Sequence, residues 1–290
     1  MRCSIVIATK DRASYLERAL QSFEEQIAAP SFEVIVVDNG SADDTKGVVE
    51  RQSLRESYPV IYVYEPEPNR GKARNRGITS ATGYLVLFCD DDVVLPPGFL
   101  AGHEAAHTTS NLVVNGPILN VASYEALPKP NPGNYSRAFL CTCNVSIPKH
   151  ALDAVGGFDE SFDLYGWEDT ELGARLRESG LRWRFAWDAY LWHIKPPQEN
   201  TLHVETRKAL EKARMAKRFV AKQPSARARI ATGAHRANLL RGRYLLPDAL
   251  LALYAGIATS PGTPAFIRAL ARSQFLDGMY TRELVRVLER

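Results

Sequence analysis

Leu85-Val86-Leu87-Phe88-Cys89-Asp90-Asp91-Asp92 is the stretch on which the reading of this chain turns. A continuous apolar run has the pattern of a strand buried on both faces, and it leads straight into three adjacent carboxylates. Like charges this close repel, and a divalent cation carrying a phosphorylated ligand would neutralise them. Taken alone, an acidic cluster is more often a solvated turn after a strand. The choice depends on whether other strand ends, cations and a base can meet at the same place.

Upstream the pattern repeats. Ser4-Ile5-Val6-Ile7-Ala8-Thr9 and Glu33-Val34-Ile35-Val36-Val37-Asp38 are apolar runs that end on a polar or acidic residue. Leu16, Leu20 and Phe23 at helical spacing predict a helix between them, opened by Ser14-x-x-Glu17 as a capping box. A second helix is predicted over Thr45 to Arg51, a third strand over Val60 to Tyr64 and a fourth over Tyr84 to Phe88. Strands alternating with short helices predict βαβ units, hence an α/β fold with a parallel sheet covered by helices on both faces. Ligands of such sheets bind beyond the carboxyl ends of the strands. Thr9, Asp38 and Asp90 fall there. Each alone would be a cap or turn residue; together they favour a shared site.

Between the third and fourth strands lies Asn69-Arg70-Gly71-Lys72-Ala73-Arg74-Asn75-Arg76-Gly77. Cations alternating with small residues at a helix start suit an anionic diphosphate, and equally suit a solvated basic face. No G-x-G-x-x-G follows the first strand and no G-x-x-x-x-G-K-[ST] loop is present, which argues against a dinucleotide-dependent dehydrogenase and a P-loop nucleotidase.

Downstream, Leu112 to Val114, Ile118-Leu119 and Ala138 to Ile147 (which contains Asn144) read as strands, with a Pro/Asn/Gly-rich flap over Pro128 to Asn134. Tyr165-Gly166-Trp167-Glu168-Asp169 leads into an amphipathic helix carrying Leu172, Leu176 and Leu181. Acids in a first helical turn are favoured by the macrodipole. The preceding Trp167 suggests more: an aromatic platform for a sugar ring beside a carboxylate able to take a hydroxyl proton. Trp183 to Trp187 reads as a strand, and Tyr190-Leu191-Trp192-His193 as a segment ending in an imidazole that could complement the aspartates around a Mn²⁺-like ion.

The net charge of +3 conceals an asymmetry. Residues 1–200 hold 19 Lys+Arg against 27 Asp+Glu, a net −8, whereas residues 201–290 hold 17 against 6, a net +11. This divides the chain into a first domain over 1–200 and a basic helical extension over 201–290. In the extension, Leu210, Ala213, Ala216 and Phe219 form one apolar face, and Thr263-Pro264 opens a helix bearing Phe266, Ile267, Leu270 and Phe275. These helices either pack on the first domain or contact an anionic lipid surface or lipid-linked acceptor. No nucleic-acid partner is expected.

The four cysteines lack a metal-ligand spacing; Cys141-x-Cys143 reads as core thiols on one strand face, and a reducing cytosolic setting is expected. The apolar segment near Met1 is short and strand-like, so no signal peptide is expected. Ala249 to Ala258 falls far below the ~18 apolar residues of a membrane span.

Assembled, these residues resemble family 2 glycosyltransferases of the GT-A (Rossmann-like, nucleotide-diphospho-sugar) fold. The resemblance runs from about Ser4 to His193. It rests on Ser4 to Asp11, Val36-Val37-Asp38-Asn39-Gly40-Ser41, Asn69-x-Gly71-x-Ala73-Arg74-Asn75-x-Gly77, Asp90-Asp91-Asp92, Gly156-Gly157-Phe158-Asp159-Glu160 and Gly166-Trp167-Glu168-Asp169. The last is also similar to a motif of β-1,4-galactosyltransferases. Lys10-Asp11 departs from the pattern, standing where the family often has an aromatic followed by Asn.

The resemblance implies a donor site of Thr9, Asp38, Gly71, Arg74, Asp90 and Asp91, and a Mn²⁺ or Mg²⁺ ion held by Asp92, His193 and Asp90. It implies Asp169 as general base and Trp167, Glu168 and Asn144 around the acceptor. The implied reaction is an inverting transfer from a nucleoside-diphosphate sugar, uridine being the commonest base, to a hydroxyl-bearing acceptor; the basic helices, outside the resemblance, are what would place the protein at the inner face of a membrane. A sugar-1-phosphate nucleotidyltransferase and a non-catalytic sugar-nucleotide-binding or membrane-peripheral protein are the alternatives.

Overall fold

The computed structural model describes residues 2–196 and 201–289. The chain divides into two compact units: Met1–Asp163 with Glu168–Pro196, and Leu164–Trp167 with Pro197–Arg290. The compositional boundary near residue 200 falls beside 197–200, outside the described residues.

The first unit begins with β1 (Cys3–Thr9), α1 (Ala13–Glu24), β2 (Phe32–Asp38), α2 (Thr45–Ser53), β3 (Val60–Tyr64), α3 (Arg70–Ser80) and β4 (Leu85–Cys89). It continues through β5 (Val93–Val94), α4 (Phe99–Ala106), β6 (Leu112–Asn115), β7 (Ile118–Val121), β8 (Asn144–Pro148) and α5 (Lys149–Val155). It closes with α6 (Glu168–Glu178), β9 (Arg182–Phe185) and β10 (Leu191–Ile194). A seven-stranded sheet runs β3-β2-β1-β4-β8-β6-β9, and a three-stranded sheet runs β5-β10-β7.

The apolar runs are continuous because both faces of the sheet are covered. Ile5, Ile7, Val34, Val36 and Leu87 pack with Leu16, Leu20 and Phe23 of α1 in one core. Val6, Ile35, Val37, Val86 and Phe88, on the alternate positions, pack with Ile78 of α3 and Leu172 and Leu176 of α6 in the other. α3 comes very close to β1 at Gly77, where an added Cβ would lie 2.3 Å from Cγ1 of Val6.

The sheet is mixed: β1 pairs parallel with β2 and β4, and β2 with β3, as the βαβ units predict, while the later strands include an antiparallel one. β8 runs antiparallel to both β4 and β6, with Cys89 opposite Asn144. It is also shorter than the predicted Ala138 to Ile147 strand: residues 138–143 form loop and turn. The register of β8 is fixed by a buried polar chain. Nε2 of His103 donates to Oδ1 of Asn144 (2.8 Å), Nδ1 of His103 accepts from Oγ of Ser146 (2.9 Å), and Nε2 of His107 donates to that Oγ (2.8 Å). Burial pulls the pKa of His103 down to about 3, so the ring is neutral and takes one donor and one acceptor role. The expected capping box is also absent. α1 starts at Ala13, whose amide donates to Oδ2 of Asp43 (2.8 Å) instead of to a local hydroxyl.

The second unit holds α7 (Leu202–Lys222), α8 (Ala226–Ala231), α9 (Arg236–Tyr244), α10 (Asp248–Thr259) and α11 (Ala265–Leu288). Ala213 and Ala216 of α7 pack with Ala234 and with Leu284 of α11, as the helical face read for α7 requires. The opening of α11 is offset by one residue from the expected Thr263 cap, with Pro264 at the N-cap and no side-chain cap bond; Phe266 is 73% exposed and Leu270 60%. Among the described residues no helix is long and apolar enough to cross a membrane.

Candidate active site

The carboxyl ends of β1, β2 and β4 carry Thr9, Asp38 and the acidic triplet, as the alternating pattern predicted. The three carboxylates differ sharply in surroundings. Asp90 is half-buried, while Asp91 and Asp92 are buried. Oγ1 of Thr9 donates to Oδ2 of Asp91 (2.6 Å), and the Arg12 guanidinium spans the pair, 3.3 Å from Oδ1 of Asp91 and 2.9 Å from Oδ2 of Asp92. Burial pushes Asp91 up to about 7 in spite of Arg12 and Thr9. Burial alone would raise Asp92 too, but the adjacent imidazole of His193 and Arg12 outweigh it and hold the carboxyl below its ordinary range. Asp91 is thus held by Thr9 and Arg12, and Asp92 lies between Arg12 on Oδ2 and His193 on Oδ1.

Nε2 of His193 lies 3.0 Å from Oδ1 of Asp92, yet that oxygen accepts no hydrogen bond among the described residues, so the imidazole approaches off the hydrogen-bonding direction. A buried carboxylate oxygen and an imidazole nitrogen this close are both donor atoms that suit a metal ion. Ligand atoms of Asp90, Cys143 and His193 also lie within 4.8 Å of one another. Carboxylate and imidazole donors suit a Mn²⁺-like ion, so the residues present fit the implied cation.

Arg74 occupies the middle of the site. Its Nη2 is 3.9 Å from Oδ1 of Asp90, and its Nη1 is 3.8 Å from Oε1 of Glu168 and 3.9 Å from Oδ1 of Asp169. Nη1 and Oε2 of Glu168 are both buried without a hydrogen-bond partner among the described residues. The guanidinium thus sits between the acidic triplet and the acids opening α6 without closing on either.

Asp169 is held by Thr142, whose amide donates to Oδ2 (2.9 Å) and whose hydroxyl donates to the same oxygen (2.9 Å). Burial pushes Asp169 up to about 6, Arg74 pulls it down, Glu168 pushes it up and the Thr142 donors pull it down. The side chain still keeps 26% of its surface exposed, which limits how far desolvation carries that rise. Sequence reading missed Thr142, although Cys141-x-Cys143 brackets it, and missed Arg12, which directly follows the strand-end loop.

Other expected site residues have different employment. Most of the basic motif is structural. Lys72 and Arg76 pair with the fully buried Glu65 at 3.5 and 3.0 Å, Asn69 caps α3 through Lys72 N, and Asn75 clamps Phe158 through its amide and carbonyl. Gly71 lies in the first turn of α3, facing Phe158 and Asp159. Only Arg74 of the set faces the acids. Asp38 accepts from Ser41 N (2.8 Å) and from the Tyr62 hydroxyl (2.7 Å). Asn144, expected at the acceptor, is fully buried. With Oδ1 taken by His103 and Nδ2 by the carbonyls of Pro117 and Ala189, nothing of it is left for an acceptor. Trp167 belongs to the second unit, where its ring stacks on Phe219 (5.5 Å, 8°) and its Nε1 donates to Lys212 O. Its φ of 74° is in the left-handed region, a backbone strain that non-glycine residues rarely accept.

The family model described as glycosyl transferase family 2 matches residues 4–156, and that of the N-terminal domain of galactosyltransferase matches residues 123–199. A validoxylamine A glucosyltransferase of Streptomyces hygroscopicus subsp. limoneus is 30% identical over 264 residues, 77% of this chain and 57% of the relative, so the chain spans little more than half of that protein. In fold, the chain resembles a mannosyltransferase from Pyrobaculum calidifontis solved with GDP-Man and Mn²⁺, at a TM-score of 0.68 and 20% identity, covering 99% of this chain and 87% of that one. It also resembles S. aureus TarS solved with UDP-GlcNAc, at a TM-score of 0.58 and 19% identity, covering 99% and 92%.

Proposed function

Because the chain belongs to glycosyl transferase family 2, we propose that it is a metal-dependent, inverting enzyme that moves a sugar from a nucleoside-diphosphate donor to an acceptor hydroxyl. One observation carries the reading. The Arg74 guanidinium stands within 4 Å of Asp90 on the donor side and of Asp169 and Glu168 on the other, so that donor acids and a candidate base share one cationic centre.

In this reading Asp92 and His193, with Asp90, would hold a divalent cation, whose charge would offset that developing on the departing nucleoside diphosphate. Asp169, fixed by Thr142, accepts the proton of the attacking hydroxyl. A partly desolvated carboxylate titrating near 6 is ionised at neutral pH and more basic than a solvated one. Glu168 lines the acceptor side, and Arg74 offers its buried Nη1 to an anionic or hydroxylated substrate. A single in-line displacement inverts the anomeric centre and needs no covalent nucleophile. The donor base is uridine in this reading.

The second unit supports a peripheral contact with anionic lipid, and so an acceptor presented at a membrane. Tyr244, Leu245, Leu253, Phe266 and Leu270 are all more than half exposed within a segment rich in arginine. The test of the catalytic reading is a donor screen over UDP-, GDP- and dTDP-sugars with and without Mn²⁺. Release of nucleoside diphosphate that requires the ion supports it. Pyrophosphate release from a nucleoside triphosphate would replace it with nucleotidyl transfer.

A further inference from the structure

The turn that enters β8 sets a thiol against the cation pocket. Sγ of Cys143 is 3.8 Å from Nδ1 of His193, while Nε2 of the same ring faces Asp92. The two ring nitrogens thus look toward different donors. Cys143 and His193 are 7% and 8% exposed, and both Cys143 and its neighbour Cys141 are free thiols. The antiparallel register that puts Cys89 opposite Asn144 brings Cys143 alongside Asp90, and one ligand atom from each of Asp90, Cys143 and His193 fits within 4.8 Å.

This donor set has a definite preference. Mg²⁺ and Ca²⁺ take oxygen ligands, whereas Zn²⁺ and Co²⁺ accept carboxylate, imidazole and thiolate together, and thiolate favours the softer ion. We propose that Asp90, Cys143 and His193 form a three-donor site for a thiophilic divalent cation such as Zn²⁺ or Co²⁺, sharing Asp90 and His193 with the Asp92 cation position. As the metal–sulfur bond forms, the S–H bond breaks, the proton passes to solvent, and no electron is transferred. Three protein ligands leave a fourth tetrahedral position for water or a small ligand. Since Asp90 and His193 are common to both positions, a thiophilic cation competes with the ion that the donor diphosphate needs, and Zn²⁺ becomes an inhibitor of donor binding. The inference rests on the catalytic reading for that last consequence only.

The experiment is a Co²⁺ titration of the metal-free full chain, followed by near-ultraviolet absorption and by proton release to an indicator dye. The site gives a saturating sulfur-to-cobalt charge-transfer band and about one proton per ion. Zn²⁺ abolishes the band and a large excess of Mg²⁺ does not. Cys143→Ser removes the band, Cys141→Ser keeps it, and His193→Gln weakens Co²⁺ binding about 10-fold or more. Co²⁺ binding to the unsubstituted chain without the band overturns the proposal whatever the variants do, as does a band that survives Cys143→Ser. Neither readout involves donor or acceptor. Sugar transfer with Mn²⁺ but no cobalt–sulfur band sinks this inference alone, and a band without any transfer sinks only the catalytic reading.

Discussion

Nη1 of Arg74 stands 3.9 Å from Oδ1 of Asp169, beyond hydrogen-bond reach and well within electrostatic reach. The cation favours the ionised form of Asp169, the proposed base, without covering it. Replacing Arg74 by Gln removes a charge that lowers the Asp169 pKa, so the acid limb of the rate–pH profile moves to higher pH and donor affinity falls. An unmoved acid limb with weakened donor binding would confine Arg74 to the donor.

Asp169→Asn leaves size and the Thr142 contacts nearly intact but cannot take a proton. Transfer falls by about 10²–10⁴-fold while donor binding, read by calorimetry, stays within a few-fold. Full activity in this variant would remove the base assignment.

With Asp169 as the proposed base, the expected rate declines as pH falls through about 6. Thr142→Val deletes the hydroxyl donor that stabilises the charged form, which raises the pKa and shifts that decline upward in pH. A rate that falls equally at every pH would make Thr142 a positional support only.

Asp92→Asn and His193→Gln each remove a proposed ligand of the donor cation. In both, nucleoside-diphosphate binding loses its enhancement by Mn²⁺ and keeps its metal-independent part, as titration with and without the ion reports. Enhancement that persists in both would place the ion elsewhere.

Phe266→Ser with Leu270→Ser tests the exposed face of α11. Sedimentation with phosphatidylserine-containing vesicles drops, while phosphatidylcholine vesicles bind neither protein. Equal sedimentation of both proteins would exclude this face from lipid contact.

The donor half of the site was legible from the first ninety or so residues because parallel strands advertise themselves twice: by apolar runs, and by the polar residue each run ends on. The helix-start motif was legible as a motif and misleading as chemistry. Composition cannot say that Lys72 and Arg76 are consumed by Glu65, whose buried carboxylate lies in the connection from β3 to α3. Asn144 was misplaced for a related reason: a polar residue in a strand looks available until its neighbours are known, and here they are His103 and two carbonyls. Thr142, Arg12 and the Cys143–His193 contact join residues distant in the chain, and no local spacing encodes them.

The buried chain from His107 through Ser146 and His103 to Asn144 works as a registration pin. A slip of β8 by one residue would send Asn144 and Ser146 to the opposite face and bring valine and isoleucine against two histidines, leaving four polar side chains stranded in the core. Thr142 is two residues before the pinned Asn144, so its reach toward Asp169 is metered by a contact at the opposite side of the strand. The placement of the Thr142 donors on Asp169 is in this way set from inside the protein, by a chain of side chains remote from the carboxylate itself.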